Sequence, residues 1–173
     1  MSIVLSAPSC RVRTFVPADA SSLARNGNNR SIWLNLRDRF PHPYTEKHAA
    51  WYIDFIQTKP GYPSFAIEVD GQAVGGVSLR PGEDVERIGA EIGYWLGEPY
   101  WGRGVMTDAV RLTTDYAFRE LKLERVFAVP FVANAASCRV LEKVGYVREG
   151  RMRRSAIKDG QILDQFLYAK VRE

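Results

Sequence analysis

The spacing of apolar residues changes along the chain and separates predicted strands from predicted helices. Residues 10–16 alternate apolar and polar side chains, which is typical of a strand with one buried face. Residues 64–69 and 72–79 predict the two strands of a hairpin, because an Asp-Gly pair, a common tight turn, lies between them. Residues 105–121 repeat apolar positions every three to four residues, which predicts the longest helix.

The remaining elements are predicted from cap residues and turn residues. Thr45 and Asn134 can each accept a hydrogen bond from a free amide of the first helical turn, so both are expected N-caps, and Gly145 is the expected end of the second helix. Further helices are predicted from Pro17 to about Asn26 and at residues 31–36, 45–58 and 134–144, and further strands at residues 86–96, 124–131, 146–158 and 161–171.

The order of these elements predicts an α+β fold. The helix between the strands at 86–96 and 124–131 implies one parallel crossover, whereas the other strands follow one another as antiparallel neighbours. We therefore expect a single domain over residues 1–173, with a mixed, mostly antiparallel central sheet of about seven strands flanked by helices. A chain of 173 residues buries enough apolar surface to fold without disulfides or a structural metal.

The charge of the chain is concentrated in one segment. The formal net charge is +4, and residues 148–158 alone contain five basic residues and one acid, which account for all of it. The basic residues are Arg148, Arg151, Arg153, Arg154 and Lys158. Proteins that bind nucleic acid usually spread more positive charge over a face or helix, so no nucleic-acid partner is expected. The segment is either a solvated strand and turn or a surface that attracts an anionic ligand.

Three features that the sequence lacks bear on the location of the protein and on its metal and disulfide content. No apolar run approaches 18 residues, so no membrane-spanning helix is expected. The N-terminus lacks the basic segment of a secretory signal, which favours a cytoplasmic protein. Cys10 and Cys138 have no Cys-x-x-Cys or Cys/His spacing, so neither a metal site nor a disulfide framework is expected.

Residues 100–107 (YWGRGVMT) form a glycine-containing loop between a predicted strand and the longest helix. A loop of this kind exposes backbone amides at the positive end of a helix dipole, where a phosphate group binds, and Arg103 can add a charged contact. A plain strand-to-helix turn that needs two glycines is the alternative. The spacing matches neither the dinucleotide fingerprint nor the Walker loop, which argues against NAD and ATP.

Several motifs together resemble the GNAT superfamily of N-acetyltransferases, and more narrowly the branch that acetylates ribosomal-protein N-termini. The motifs occur in the order of the predicted elements and cover nearly the whole chain; they are residues 36–44 (LRDRFPHPY), 90–96 (AEIGYWL), 100–104 (YWGRG), 134–137 (NAAS) and 141–146 (LEKVGY). The resemblance implies acetyl-CoA as cofactor and direct attack of a primary amine within a ternary complex. The amine would belong to a protein N-terminus or to a small molecule.

The resemblance also implies which residues bind the cofactor. The family's pyrophosphate loop aligns with residues 101–106, with Gly104 as its central glycine, and the pantetheine arm would pair with backbone near residues 94–96. The implied set is Tyr94, Trp95, Leu96, Trp101, Gly102, Arg103, Gly104, Val105, Met106, Thr107, Asn134, Ser137 and Lys143. Two residues depart from the pattern, since Trp101 replaces Gln or Arg and Met106 replaces a small residue. Met106 lowers CoA affinity if it crowds the diphosphate, and is harmless if it packs between helix and sheet.

Two residues are the catalytic candidates. Glu91 occupies the position where the family often has a carboxylate base, although a strand carboxylate paired with an arginine such as Arg87 is the alternative. Ser137 can donate a proton or hydrogen bond to the leaving thiolate, or it only caps backbone amides of its helix. Tyr94 and Tyr146 are alternative phenolic donors.

The acceptor is not identified by these motifs. Its determinants are expected in residues 25–60 and 150–162, and the basic segment suggests an acidic or phosphate-bearing acceptor or the CoA 3′-phosphate. A small-molecule amine and a peptide amine both remain open, as do a monomer and a homodimer. A CoA-binding module without transferase activity is the alternative function.

Overall fold

The computed structural model describes residues 3–59 and 61–173. Its strands are β1 (Val4–Ser6), β2 (Arg11–Thr14), β3 (Ser64–Val69), β4 (Gln72–Pro81), β5 (Gly89–Leu96), β6 (Arg125–Ala128), β7 (Val147–Lys158) and β8 (Gln161–Val171). Its helices are α1 (Ala20–Gly27), α2 (Arg30–Trp33), α3 (Glu46–Gln57), α4 (Val105–Arg119) and α5 (Ala135–Val144). The eight strands form one sheet in the order β1-β2-β3-β4-β5-β6-β8-β7.

The predicted fold class is confirmed, with one more strand than the expected seven or so. The additional strand, β1, has three residues and pairs antiparallel with β2, too short a segment to show an alternating pattern. The pair β5–β6 is parallel, as the crossover requires, and the other pairs are antiparallel. The strand predicted from residue 86 begins instead at Gly89, because Asp84–Glu86 forms a 3-10 turn.

Local turn and cap chemistry explains where most elements begin and end. Asp70 and Gly71 between β3 and β4 both have positive φ (50° and 76°), the conformation of the tightest hairpin turns. The Asn134 side chain accepts a hydrogen bond from the Ser137 amide (3.2 Å) and caps α5, which ends at Gly145 in the left-handed conformation (φ 89°). Thr45 caps α3.

Helices cover both faces of the sheet and enclose two separate cores. The larger core lies between the sheet and the pair α4 and α5, with Val110 and Leu141 fully buried. The smaller core lies between the sheet and the pair α1 and α3, around Leu23 and Ile53. Within residues 3–59 and 61–173, no helix has the length and apolarity needed to cross a membrane.

Candidate active site

The sheet opens between the parallel strands β5 and β6. Their pairing covers three positions and ends at Glu91 and Phe127, while β5 runs on to Leu96 and β6 stops at Ala128. A cleft therefore begins beside Glu91, with the outer edge of residues 92–96 along one wall. The resemblance places the pantetheine arm on this edge, whose backbone groups are available to an extended ligand.

The glycine loop lies at the far end of that edge. Gly102 and Gly104 have φ values of 72° and 80°, a conformation that L-amino acids rarely adopt. A Cβ atom added at either glycine would meet no described heavy atom within 4 Å, so the space above the loop is open. Gly104 is the N-cap of α4 and offers no capping side chain, which leaves the first amides of this helix for a ligand. These features fit a diphosphate.

The two departures from the family loop are both accommodated. The Met106 side chain packs, half-buried, against the larger core, so it does not fill the space above the loop. The Trp101 indole donates a hydrogen bond to the Leu96 carbonyl (2.7 Å), which holds the loop against the end of β5. The guanidinium of Arg103 lies 5.7 Å from the Tyr100 ring and remains exposed at the loop.

One acidic residue lies in the first turn of α4. Burial by itself would raise the pKa of Asp108, but hydrogen bonds from Ser9 (2.6 Å) and Arg111 (2.6 Å) outweigh it and hold the pKa below its ordinary value. Asp108 is therefore ionised, and the Arg111 guanidinium offsets its charge next to the anion site. Thr107 is half-buried in the same turn.

Ser137 contacts Tyr94 across the larger core. Their hydroxyl oxygens lie 2.7 Å apart, although 43 residues separate them along the chain. Burial raises the pKa of Tyr94 well above its ordinary value, so the phenol stays protonated and is able to donate. The Ser137 hydroxyl thus binds a side chain, whereas the Asn134 side chain makes the capping bond. Tyr146 is buried, and its hydroxyl is bonded to that of Thr114 (2.7 Å).

Glu91 is held by two arginines, neither of which is Arg87. Arg37 Nη2 lies 2.5 Å from Glu91 Oε1, and Arg80 Nη2 lies 2.7 Å from Oε2. Arg80 is the cross-strand neighbour of Glu91 on β4, and Arg37 comes from the segment between α2 and α3. The Arg87 guanidinium instead donates to the Asp84 carbonyl (2.7 Å), because the turn before β5 directs it there. The expected ion pair exists with different partners.

The segment that joins α2 to α3, residues 34–45, lies on the Glu91 side of the sheet. The Phe40 ring stacks on Tyr44 with 4.4 Å between centroids and meets the Trp95 ring edge-on at 5.4 Å. The side chain of Trp95 therefore packs towards the smaller core, and only its backbone is placed for a cofactor contact. Residues 37–44 thus form a wall beside Glu91.

The end of β7 is joined to this wall by a buried lysine. Lys158 is 3% exposed, and its ammonium lies 2.7 Å from Asp38 Oδ1 and 3.8 Å from the centroid of the Trp33 ring. The adjacent Arg30–Asp159 ion pair (2.7 Å) makes a second contact. The two segments in which acceptor determinants are expected, 25–60 and 150–162, are therefore in contact.

The structure adds the partners that position the predicted site residues. Glu91 and Tyr94 lie on β5, Ser137 is hydrogen-bonded to Tyr94, the loop 101–107 follows the end of β5, and Lys143 is exposed near the end of α5. The sequence pattern did not indicate Arg37 or Arg80 as site residues. Arg37 lies in the family-like segment 36–44, which could have indicated it. The pairing of Arg80 with Glu91 depends on the register of β4 and β5, which the sequence of the turn between them does not predict.

Similar sequences among known proteins indicate the family of this chain. The acetyltransferase (GNAT) domain family matches residues 10–147. A Bacillus subtilis (strain 168) protein named "Putative ribosomal N-acetyltransferase YdaF" is 37% identical over 168 residues, which cover 91% of this chain and 88% of YdaF. The spermidine N(1)-acetyltransferase of Escherichia coli (strain K12) is 26% identical over 165 residues, covering 90% of this chain and 82% of that enzyme. None of these matches favours a non-catalytic module.

A solved structure supports the fold. RimJ of Mycobacterium smegmatis, in complex with CoA-disulfide, superposes with a TM-score of 0.87 at 23% identity, over 98% of this chain and 86% of RimJ. The family match spans more than half of the chain. The chain belongs to the GNAT acetyltransferase family and is an acetyl-CoA-dependent N-acetyltransferase that acts on amines.

Proposed function

We propose that this chain, as one domain, acetylates the N-terminal α-amine of a peptide or protein, with Glu91 as base and Ser137 as hydrogen-bond donor to the leaving thiolate. The observation that carries the proposal is the opening of the sheet between β5 and β6, which begins at Glu91, with Tyr94 three residues farther along β5 and hydrogen-bonded to Ser137. The name of YdaF and the family-like segment 36–44 favour a protein N-terminus over a polyamine. We further propose a cytoplasmic location, without nucleic-acid or membrane partners.

The chain's own groups fit acetyl-CoA. The open space above Gly102 and Gly104 admits a diphosphate, the first amides of α4 and Arg103 supply positive charge, and the edge of residues 94–96 supplies backbone groups for an extended arm. Asn134 and Lys143 extend this set along α5. Acetyl-CoA, when bound, supplies the thioester from which the acetyl group is transferred.

Glu91 can remove the proton that the attacking amine must lose. A carboxylate has about four acceptor positions, so the two arginines leave room for a further hydrogen bond from an amine or a bridging water. An α-amine, with a reference pKa of about 7.7–8.0, is more easily deprotonated than a lysine, with a reference pKa of about 10.4. A positioned carboxylate therefore suffices for an N-terminal acceptor.

Ser137 can stabilise the leaving thiolate. When the Tyr94 phenol donates to Ser137 Oγ, the serine hydrogen is free to donate a hydrogen bond to the leaving thiolate. The raised pKa of Tyr94 keeps the phenol protonated and donating throughout. The two hydroxyls are already hydrogen-bonded to each other before substrate binds, which lowers the cost of ordering them.

The test is a thiol-release assay with acetyl-CoA and three acceptor classes: peptides with a free N-terminus, the same peptides with a blocked N-terminus and one lysine, and spermidine. We expect turnover of the free N-termini. Glu91→Gln should lower kcat/KM for them about 100-fold without changing the Kd of acetyl-CoA. Turnover of spermidine or lysine alone would refute the acceptor class, and full activity of Glu91→Gln would refute the base.

A further inference from the structure

Two arginines and one carboxylate form a cluster at the start of the cleft. The Arg37 and Arg80 side chains are 54% and 47% exposed, whereas that of Glu91 is only 12% exposed. Each guanidinium uses one terminal nitrogen to bind Glu91, and arginine has five N–H donors. The carboxylate is thus covered, while the remaining donors of both arginines face solvent.

The cluster carries one uncompensated positive charge where the acceptor must enter. Asp38, the acid adjacent to Arg37 in sequence, is bound by Lys158 Nζ at 2.7 Å. The acid that follows Lys158, Asp159 in the turn between β7 and β8, pairs with Arg30 at 2.7 Å. Both acids are therefore neutralised by other bases, and the excess charge at Arg37 and Arg80 persists.

There is room beside the cluster for a ligand. Gly93 lies two residues beyond Glu91 on the same face of β5 and is exposed. A Cβ atom added at Gly93 would meet only the Ser78 hydroxyl, at 3.8 Å, among the described residues. A small group can therefore lie over Gly93 and reach Glu91 with one end and the arginines with the other.

We infer that the acceptor carries a carboxylate close to its amine, and that Arg37 and Arg80 bind it. The planar fork of an arginine matches a carboxylate, and two forks that are half in solvent attract an anion and repel a cation. The acceptor's carboxylate would bind the guanidinium donors that Glu91 does not use, so the ion pairs that hold Glu91 stay in place. This inference rests on the proposed function and adds its substrate class: an N-terminus followed by an acidic residue.

The experiment compares three peptides that differ only in their second residue: Glu, Gln or Lys. In the wild type, kcat/KM for the Glu peptide should exceed that for the Lys peptide about tenfold or more, since two half-exposed charge pairs each contribute a few-fold. Arg37→Gln and Arg80→Gln should each bring this ratio towards one. Because the ratio compares two peptides on the same variant, a loss of activity that affects both peptides equally, for example through a displaced Glu91, does not change it. Arg172→Gln is the matched control, because its ion pair with Glu124 lies where β6 begins, away from the cleft.

A second measurement does not depend on the variants. The wild-type ratio should fall when the salt concentration is raised from about 0.05 M to about 0.5 M, because salt screens exposed charges. Equal rates for the three peptides, preference for the Lys peptide, or an unchanged ratio in both arginine variants would each overturn the inference.

Acetylation of small amines tests the preference for a carboxylate independently of the proposed peptide acceptor. β-Alanine, β-alaninamide and 1,3-diaminopropane offer the same charge comparison without a peptide, with rates corrected to the unprotonated amine. If no peptide is acetylated but β-alanine is preferred over 1,3-diaminopropane, the peptide acceptor is refuted and the inference is supported. If neither series is turned over by protein that binds acetyl-CoA, both are refuted.

Discussion

Gly104 provides a sharp test of the cofactor loop, because a side chain there enters open space. The residue has φ 80°, and an added Cβ would meet no described heavy atom within 4 Å. Substitution therefore causes backbone strain of about 1–2 kcal/mol without a packing clash. In a chain of this length that strain lowers the Tm by about 3 °C per kcal/mol, so the Gly104→Glu protein is expected to fold.

The effect on acetyl-CoA binding should be much larger than the effect on folding. Two unit charges 4 Å apart repel by about 4 kcal/mol near a protein surface and by about 1 kcal/mol in bulk water. Gly104 is exposed, so an intermediate value of about 2 kcal/mol between the new carboxylate and the diphosphate is appropriate, which is about 30-fold in Kd. The Cβ atom adds to this loss by keeping the diphosphate away from the backbone amides.

Calorimetric titration with acetyl-CoA measures this difference directly. Gly104→Ala separates backbone strain from charge, since it has the same φ requirement and no carboxylate. Gly61→Glu is the matched control: Gly61 has φ 87° and equally open surroundings, and it precedes β3 at the end of the sheet opposite the loop. All three variants are first checked by thermal unfolding.

We expect binding to be strong for wild type and Gly61→Glu, weaker for Gly104→Ala, and weakest for Gly104→Glu. A folded Gly104→Glu protein with a Kd within about threefold of wild type would refute the placement of the diphosphate. An equal loss of affinity in Gly61→Glu would show that the loss is not specific to the loop.

Three further predictions address the donor pair, the loop and the fold. Ser137→Ala should lower kcat about 100-fold and Tyr94→Phe about tenfold, and neither should change the Kd of acetyl-CoA. If steady-state kinetics show a larger effect for Tyr94→Phe than for Ser137→Ala, the phenol is the direct donor. Met106→Ala should cost about 1–2 kcal/mol in urea unfolding and leave acetyl-CoA affinity intact, since this side chain faces the core; tighter binding would show that it crowds the ligand. Asp19→Asn should cost about 2 kcal/mol in urea unfolding, because Arg13 loses a charged hydrogen-bond partner (2.8 Å) but keeps Glu68; an unchanged free energy of unfolding contradicts this.

The sequence alone was sufficient for features that depend on a few neighbouring residues. The Asp-Gly pair at 70–71 predicted a hairpin turn because few residues adopt positive φ, and the Asp-Gly pair at 159–160 has the same conformation between β7 and β8. Asn134 and Gly145 predicted the ends of α5, since capping involves amides within one turn. The family-like motifs, spread over most of the chain, predicted the fold, the cofactor and the reaction.

The tertiary structure decided which side chains meet in the cleft. Glu91 and Arg37 are 54 residues apart in sequence, and Lys158 and Asp38 are 120 apart. Such contacts depend on strand register, on the packing of helices against the sheet and on the path of a loop, and none of these is encoded by a local pattern. The sequence therefore determined which chemical groups are available, whereas the fold determined that the carboxylate of Glu91 is covered by two arginines and that Ser137 is bonded to Tyr94.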